Sequence, residues 1–272
     1  MSGVIGFNHI GRLGQLGNQM FQYSSLKGIS RNRGYDYMIP NHTEEVNDGI
    51  GNMVKTVLLD AFNLPIRESF SIGVIDTEQY YPEPHFQFSE KVFNECPPNV
   101  SLWGFYQTEK YFRHIREELL EDFSFKLDVV EECQPILEQF NDPVALHIRR
   151  GDFLINNANH NNLSLNYYAG ALKHFHGDRE VVIFSDDTNW CKEQELFADD
   201  RFLVSEGNSS HHDLYLMSRC RDFIIANSSF SWWGAWLANY DQVIAPAQWF
   251  GPNNIDKDTS DLYCSDWTII ED

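Results

Sequence analysis

VALHIRRGDF, Val144–Phe153, is the stretch whose reading decides the fold. Val144–Ile148 is a short, mostly apolar run of the kind a strand buried on both faces produces. It stops abruptly at Arg149 and Arg150, followed by Gly151 and Asp152. Outward from this strand toward the C-terminus, the pattern repeats. Glu180–Phe184 (EVVIF), Arg201–Val204, Phe223–Ala226 and Gln242–Ala245 read as strands. Asn166–Phe175, Asn189–Phe197, His211–Cys220 and Ser231–Asn239 read as helices between them. Strands alternating with helices predict right-handed crossovers and a parallel sheet. The fold class expected is therefore α/β, with a parallel sheet in the C-terminal half.

In the other direction the text is less regular. Val4–Phe7 predicts a short strand. The loop GRLGQLGNQ follows, with Gly11, Gly14 and Gly17. A helix then carries Met20, Tyr23, Leu26 and Ile29 at near-helical spacing. Val100–Gln107 reads as a strand, and Glu109–Phe123 as a helix with Tyr111, Ile115, Leu119 and Phe123 on one face. Residues 32–99 contain apolar pieces, Val57–Leu59 and Ile72–Ile75, and are broken by Pro82, Pro84, Pro97 and Pro98. The segment Asp128–Asp142, charged and containing Pro135, reads as a domain junction.

The chain has 272 residues, with 20 Lys+Arg against 40 Asp+Glu and a formal net charge of -20. This length supports one large α/β unit or two small ones, with a core that needs no disulfides. The acidity argues against nucleic acid and anionic membranes as partners, because both require a basic footprint. Cys96, Cys133, Cys191, Cys220 and Cys264 are widely spaced and odd in number. They read as free buried thiols in a reducing compartment. No apolar run reaches the about 18 residues of a membrane span. The expected location is cytoplasmic, and the sequons at Asn99 and Asn227 are then chance matches.

Parallel pairing would bring three strand-end loops to one edge of the sheet, where ligands bind in open α/β folds. These loops hold His147, Arg149, Arg150 and Asp152; Ser185, Asp186 and Asp187; and Asn227, Ser228, Ser229 and Ser231. Arginine forks, serine hydroxyls and helix-start N–H groups suit a nucleoside diphosphate. Carboxylates can take ribose hydroxyls or the N–H edge of guanine. Each motif alone has a plainer reading: RRGD as a salt-bridged turn, SDD and NSSFS as helix caps, and SWWGAW as core. The glycine loop lacks the G-x-G-x-x-G spacing of a Rossmann dehydrogenase.

Four motifs, GQLGNQMFQY, HIRRGDF, VIFSDD and DFIIANSSFSWWGAWLA, together resemble the α-1,2-fucosyltransferases of glycosyltransferase family 11. Order and approximate spacing match over nearly the whole chain. Residues 32–99 carry the weakest match, and the loop RLGQLGNQ departs slightly from the usual glycine-pair form. The resemblance implies two Rossmann-like domains facing a cleft, the GT-B arrangement. Residues 1–140 would form an acceptor-side domain and residues 141–272 a GDP-sugar-binding one. It also implies inverting transfer of L-fucose from GDP-β-L-fucose, a co-substrate, with no metal or other cofactor. The acceptor implied is a sugar hydroxyl, typically O2 of a terminal β-galactoside, in glycan or surface-polysaccharide synthesis.

By the same resemblance Arg149 binds the donor β-phosphate, Arg150 supports it and His147 lies near the nucleotide. Asp213 would contact guanine. Asp186, Asn227, Ser228, Ser229 and Ser231 would line the donor site. Gly17, Asn18 and Gln19 would face the cleft from the other domain. Asp152 is a candidate base for the acceptor hydroxyl or an ion-pair partner of an arginine. Another GDP-sugar transferase, a protein O-fucosyltransferase and a non-catalytic glycan- or nucleotide-binding module remain open.

Overall fold

The computed structural model describes residues 3–47, 52–65 and 72–272. It divides into two compact units. One comprises Met1–Lys126 and Lys257–Cys264, the other Leu127–Asp256 and Ser265–Asp272.

The strands of the first unit are β1 (Val4–Gly6), β2 (Asp36–Met38), β3 (Val46–Asn47), β4 (Met53–Val54), β5 (Tyr80–Pro82) and β6 (Val100–Trp103). Its helices are α1 (Leu16–Arg33), α2 (Leu58–Ala61), α3 (Glu90–Glu95) and α4 (Arg116–Asp122). Four strands form a parallel sheet in the order β2-β1-β6-β5, while β3 and β4 make a small antiparallel pair. Helix α1 is buried almost continuously from Leu16 to Ser30. That burial includes a cation. Lys27 Nζ sits 2.5 Å from Asp122, which also accepts the hydroxyl of Tyr23 at 2.7 Å. The pair is tolerable inside because each charge has a partner.

The helix expected over Glu109–Phe123 begins differently. Two 3-10 turns, Glu109–Tyr111 and Arg113–Ile115, precede α4. A Cβ on Gly28 of α1 would lie 2.1 Å from the carbonyl oxygen of Tyr111. Backbone packs on backbone here, and the side-chain periodicity could not show it. The strand expected over Val100–Gln107 ends at Trp103, since Gly104 and Tyr106 have φ of 148° and 54°.

The second unit runs α5 (Leu127–Leu137), β7 (Val144–Ile148), α6 (Gly151–Ile155), α7 (Leu165–Leu172), β8 (Val181–Ser185) and α8 (Thr188–Lys192). It continues with β9 (Phe202–Val204), α9 (Ser210–Met217), β10 (Asp222–Ile224), α10 (Ser229–Leu237), β11 (Gln242–Pro246) and β12 (Thr268–Ile270). All six strands are parallel, in the order β12-β11-β10-β7-β8-β9. The α/β class with a parallel C-terminal sheet is thus present. Tyr167, Tyr168, Ile183, Ile224 and Ile244 belong to its core. Trp232, Trp233 and Trp236 are wholly buried, so SWWGAW is core.

The compact units divide at Lys126, not at the expected residue 140. The segment read as a junction is helix α5, whose Val129 and Cys133 are buried. Glu132 of α5 lies 3.0 Å from Nε2 of His212 on α9, which ties the helix to the second unit. Pro135 lies inside the last turn of this helix, where it forgoes one intrahelical N–H bond. All five cysteines are free and buried. Among the described residues no helix is long and apolar enough to cross a membrane.

Candidate active site

Strand β7 is the centre of the second unit's sheet. Its neighbours are β8 on one side and β10 on the other. Chain progression therefore reverses at β7 and β10, the switch point at which open α/β sheets form a crevice beyond their strand ends. The loops after β7, β8 and β10 lie side by side at that edge.

Arg149 leaves the end of β7 and is held by two carboxylates. Its Nη2 donates to Oδ1 of Asp152 at 2.6 Å, and its Nη1 lies 2.9 Å from Oδ2 of Asp186. The guanidinium also sits over the Phe153 ring, 5.5 Å from its centroid. Arg150 is clamped on a second set. Its Nε donates to Oδ2 of Asp187 at 3.0 Å, its guanidinium stacks 3.9 Å from the Trp190 centroid, and its backbone N–H donates to Oδ1 of Asp186 at 2.9 Å. Two cations thus meet three carboxylates. An ion pair with Asp152 is one reading of RRGD; the structure adds Asp186 and Asp187 and makes the whole a compensated network. Its effect is geometric: the clamped guanidiniums keep N–H groups over after the carboxylates are served, and both side chains are about one-fifth exposed. That is the preorganised state a phosphate fork needs.

Asp186 commits both oxygens to the β7 loop, which makes it an organiser of the arginines. Gly151 permits this, since a Cβ there would lie 2.4 Å from Asp186 Oδ2. Asp187 accepts the Trp190 N–H at 3.2 Å and caps α8 while holding Arg150.

His147 is 4% exposed, and its ring centroid lies 5.5 Å from that of Phe230 on α10. Burial, helped by Arg149, pushes its pKa down to about 3. It is a neutral wall of the site, and its Nδ1 is buried with no hydrogen-bond partner among the described residues.

The β10 loop divides its roles. Asn227 is buried and donates from Nδ2 to the carbonyls of Asn161 and Trp249, both at 2.8 Å. It ties loops together. Ser231 is fully buried and turns its hydroxyl to the carbonyls of Ala226 and Ser228. Ser228 caps α10 by accepting the Phe230 N–H at 3.3 Å. Ser229, half-buried, is the first residue of that helix. Ser228 and Ser229 thus stand at the start of α10, the end of a helix that carries partial positive charge.

Asp213 lies on α9, beyond the end of β9, two strands away from β7. Ser205 donates its hydroxyl to Asp213 at 2.7 Å and accepts from Asn208 at 2.9 Å. Burial raises the Asp213 pKa, while the Ser205 and Asn208 hydrogen bonds work against that rise. The side chain is thereby held in one orientation.

Gly17, Asn18 and Gln19 belong to the first unit. Gln19 is structural: Nε2 donates to the carbonyls of Gly14 and Lys55, and Oε1 accepts the Val57 N–H at 2.9 Å. Asn18 accepts from Gln107 Nε2 at 2.7 Å. Gly17 is buried within α1.

Phe153, Trp190, Phe230, Ser205 and Asn208 escaped the sequence reading. Only the aspartate three residues before Trp190 hinted at one of them, as a helix cap. Among the described residues no group of three or more His, Cys, Asp or Glu is placed to hold a metal ion.

The family model described as Glycosyl transferase family 11 matches residues 1–271. An alpha-1,2-colitosyltransferase of Escherichia coli is 34% identical over 270 residues, covering 87% of this chain and 90% of the relative. Galactoside alpha-(1,2)-fucosyltransferase 2 of Oryctolagus cuniculus is 25% identical over 256 residues, covering 86% and 68%. In fold, the crystal structure of the NodZ alpha-1,6-fucosyltransferase soaked with GDP-fucose aligns with a TM-score of 0.54. It does so at 13% identity, covering 88% of this chain and 93% of that one.

Proposed function

The chain belongs to glycosyltransferase family 11, and from that membership we propose an inverting transfer of L-fucose from GDP-β-L-fucose to O2 of a terminal β-galactoside. The observation that carries the reading is the clamp on Arg149. Cleaving a fucosyl–phosphate bond leaves GDP with added negative charge and a sugar of oxocarbenium character. A fixed guanidinium at the strand end stabilises the departing diphosphate, because its dipoles need no reorganisation as charge develops. Arg150, with Asp187 and Trp190 behind it, supports the same charge. Ser228, Ser229 and the first turn of α10 take phosphate oxygens, and Asp213 takes the guanine N–H edge.

Asp152 contacts Arg149, which supports an orienting role for it. A loose, cationic transition state makes small demands on a base, so the acceptor proton needs no dedicated one. Metal independence is part of this proposal and rests on the arginines supplying the fixed positive charge. No cofactor is required, and GDP-fucose is a co-substrate.

The resemblance to a colitosyltransferase favours a second donor reading. Colitose is fucose without its 3-hydroxyl, and a site indifferent to that hydroxyl would take either sugar. Incubating the protein with GDP-fucose or GDP-colitose, a panel of β-galactosides and excess chelator, followed by linkage analysis, tests both. A 2-linked α-product formed at full rate in chelator is expected. Strict dependence on Mg²⁺ or Mn²⁺, or GDP binding without turnover on any galactoside, would overturn it.

A further inference from the structure

The first unit has its own switch point. Its sheet order, β2-β1-β6-β5, reverses between β1 and β6. A ligand crevice is expected beyond their carboxyl ends. The residues there are aromatic. His9 lies in the loop after β1, and Trp103 is the last residue of β6. Their ring centroids are 4.1 Å apart with planes at 80°. Tyr80 pairs in register with Ser101, two residues before Trp103, so its side chain shares the face of Trp103. Its ring is 5.3 Å from His9 and 6.0 Å from Trp103.

Three mutually edge-on rings form a corner, yet Trp103 is 41% and Tyr80 50% exposed. Large rings at a strand end ordinarily bury their faces. The corner is also rigid. Glu83 donates its backbone N–H to the Trp103 carbonyl at 2.7 Å, and its carboxylate accepts the N–H groups of Phe105 and Tyr106, both at 2.9 Å. Burial and the neighbouring His42 lower the His9 pKa, which favours its neutral imidazole. Nδ1 of His9 is buried without a hydrogen-bond partner among the described residues.

A rigid aromatic corner that leaves two large rings half-exposed suits a neutral hexopyranose, whose apolar C–H face stacks on a ring. It does not suit an anion. We propose that His9, Tyr80 and Trp103 form the subsite that binds a sugar ring of the acceptor glycan, with Trp103 as the stacking platform. This rests on the proposed glycosyl transfer and adds where the acceptor is gripped.

The full chain is assayed with GDP-fucose and lactose or N-acetyllactosamine, comparing wild type with Trp103→Phe, Trp103→Leu and Tyr80→Ala. Leucine keeps apolar bulk and loses the π-face, whereas phenylalanine keeps both. Trp103→Leu is expected to raise the acceptor KM roughly tenfold or more. The GDP-fucose KM and acceptor-independent GDP-fucose hydrolysis stay unchanged, and Trp103→Phe stays near wild type. An unchanged acceptor KM, a parallel rise in donor KM, or a changed oligomeric state with normal acceptor KM would each overturn the subsite. If wild type turns over no GDP-fucose, the donor reading fails by itself. The subsite is then judged by titrating the same sugars against tryptophan fluorescence. A response lost in Trp103→Leu supports it, and no response in wild type overturns it.

Discussion

Nη1 of Arg149 and Oδ2 of Asp186 lie 2.9 Å apart, across two neighbouring parallel strands. The contact exists because residue 151 has no Cβ, which would fall 2.4 Å from that oxygen. A strand-end cation is thereby held by the carboxylate of the next strand, beneath a glycine.

Gly151→Ala therefore displaces Asp186 and frees one side of Arg149. The displaced atom ends a movable side chain, so the fold survives. Hydrogen bonds to charged groups contribute about 1.5–3 kcal/mol, so turnover of GDP-fucose should fall roughly tenfold or more. Asp186→Ala should reproduce the loss. Steady-state rates alongside a thermal melt check both, and wild-type turnover in either variant removes Asp186 from the clamp.

Arg149→Lys tests shape against charge. An ammonium keeps the charge but cannot fork between Asp152 and Asp186. Removing such a preorganised donor typically costs about 10²–10³ in rate, and kcat should drop by that order. A variant with normal kcat would move the leaving-group role elsewhere.

Asp152→Asn separates partner from base. The amide oxygen can still accept from Arg149, so an orienting Asp152 predicts a modest loss, roughly tenfold or less. The acidic limb of the pH–rate profile should keep its shape. A collapse in kcat with the limb gone would make Asp152 the base.

His147 makes stability depend on pH. Its folded pKa is about 3, against an ordinary value of 6.5. Between those values the unfolded chain binds the extra proton, so stability rises with pH through the window and is lost as pH falls below 6.5. Each unit contributes up to about 1.4 kcal/mol. Urea unfolding of wild type and His147→Asn at pH 7.0, 6.0 and 5.5 should show the wild-type advantage shrinking with acidity. A pH-independent difference would mean the imidazole titrates normally.

The C-terminal half was legible because each element announces itself. The apolar run Val144–Ile148, the caps at Asp187 and Ser228, and the strands between them need no distant contact to be read. In the first half the strand at Val4, the helix through Met20–Ile29 and the strand starting at Val100 were legible as well, but the shorter elements depend on close approach. Gly28 against Tyr111 shortens an expected helix, and α5 is a helix whose buried face only α9 explains. The site divided likewise. The motifs placed Arg149, Arg150, Asp186 and Ser228 at strand ends, but the hydrogen bonds that hold Asn227, Ser231 and Gln19 were visible only in the structure.

By itself the sequence determined that paired arginines, aspartates and serines stand at the ends of strands destined for one parallel sheet. Local periodicity and strand-end chemistry suffice for that. The tertiary structure decided what the arginines are. Strand order set β8 beside β7, and Gly151 let Asp186 approach. The arginine pair is a guanidinium network balanced by three carboxylates, two of which come from the neighbouring strand's loop. A side chain's charge is written in its residue type, while its partners depend on which strands lie adjacent, and only the fold sets that.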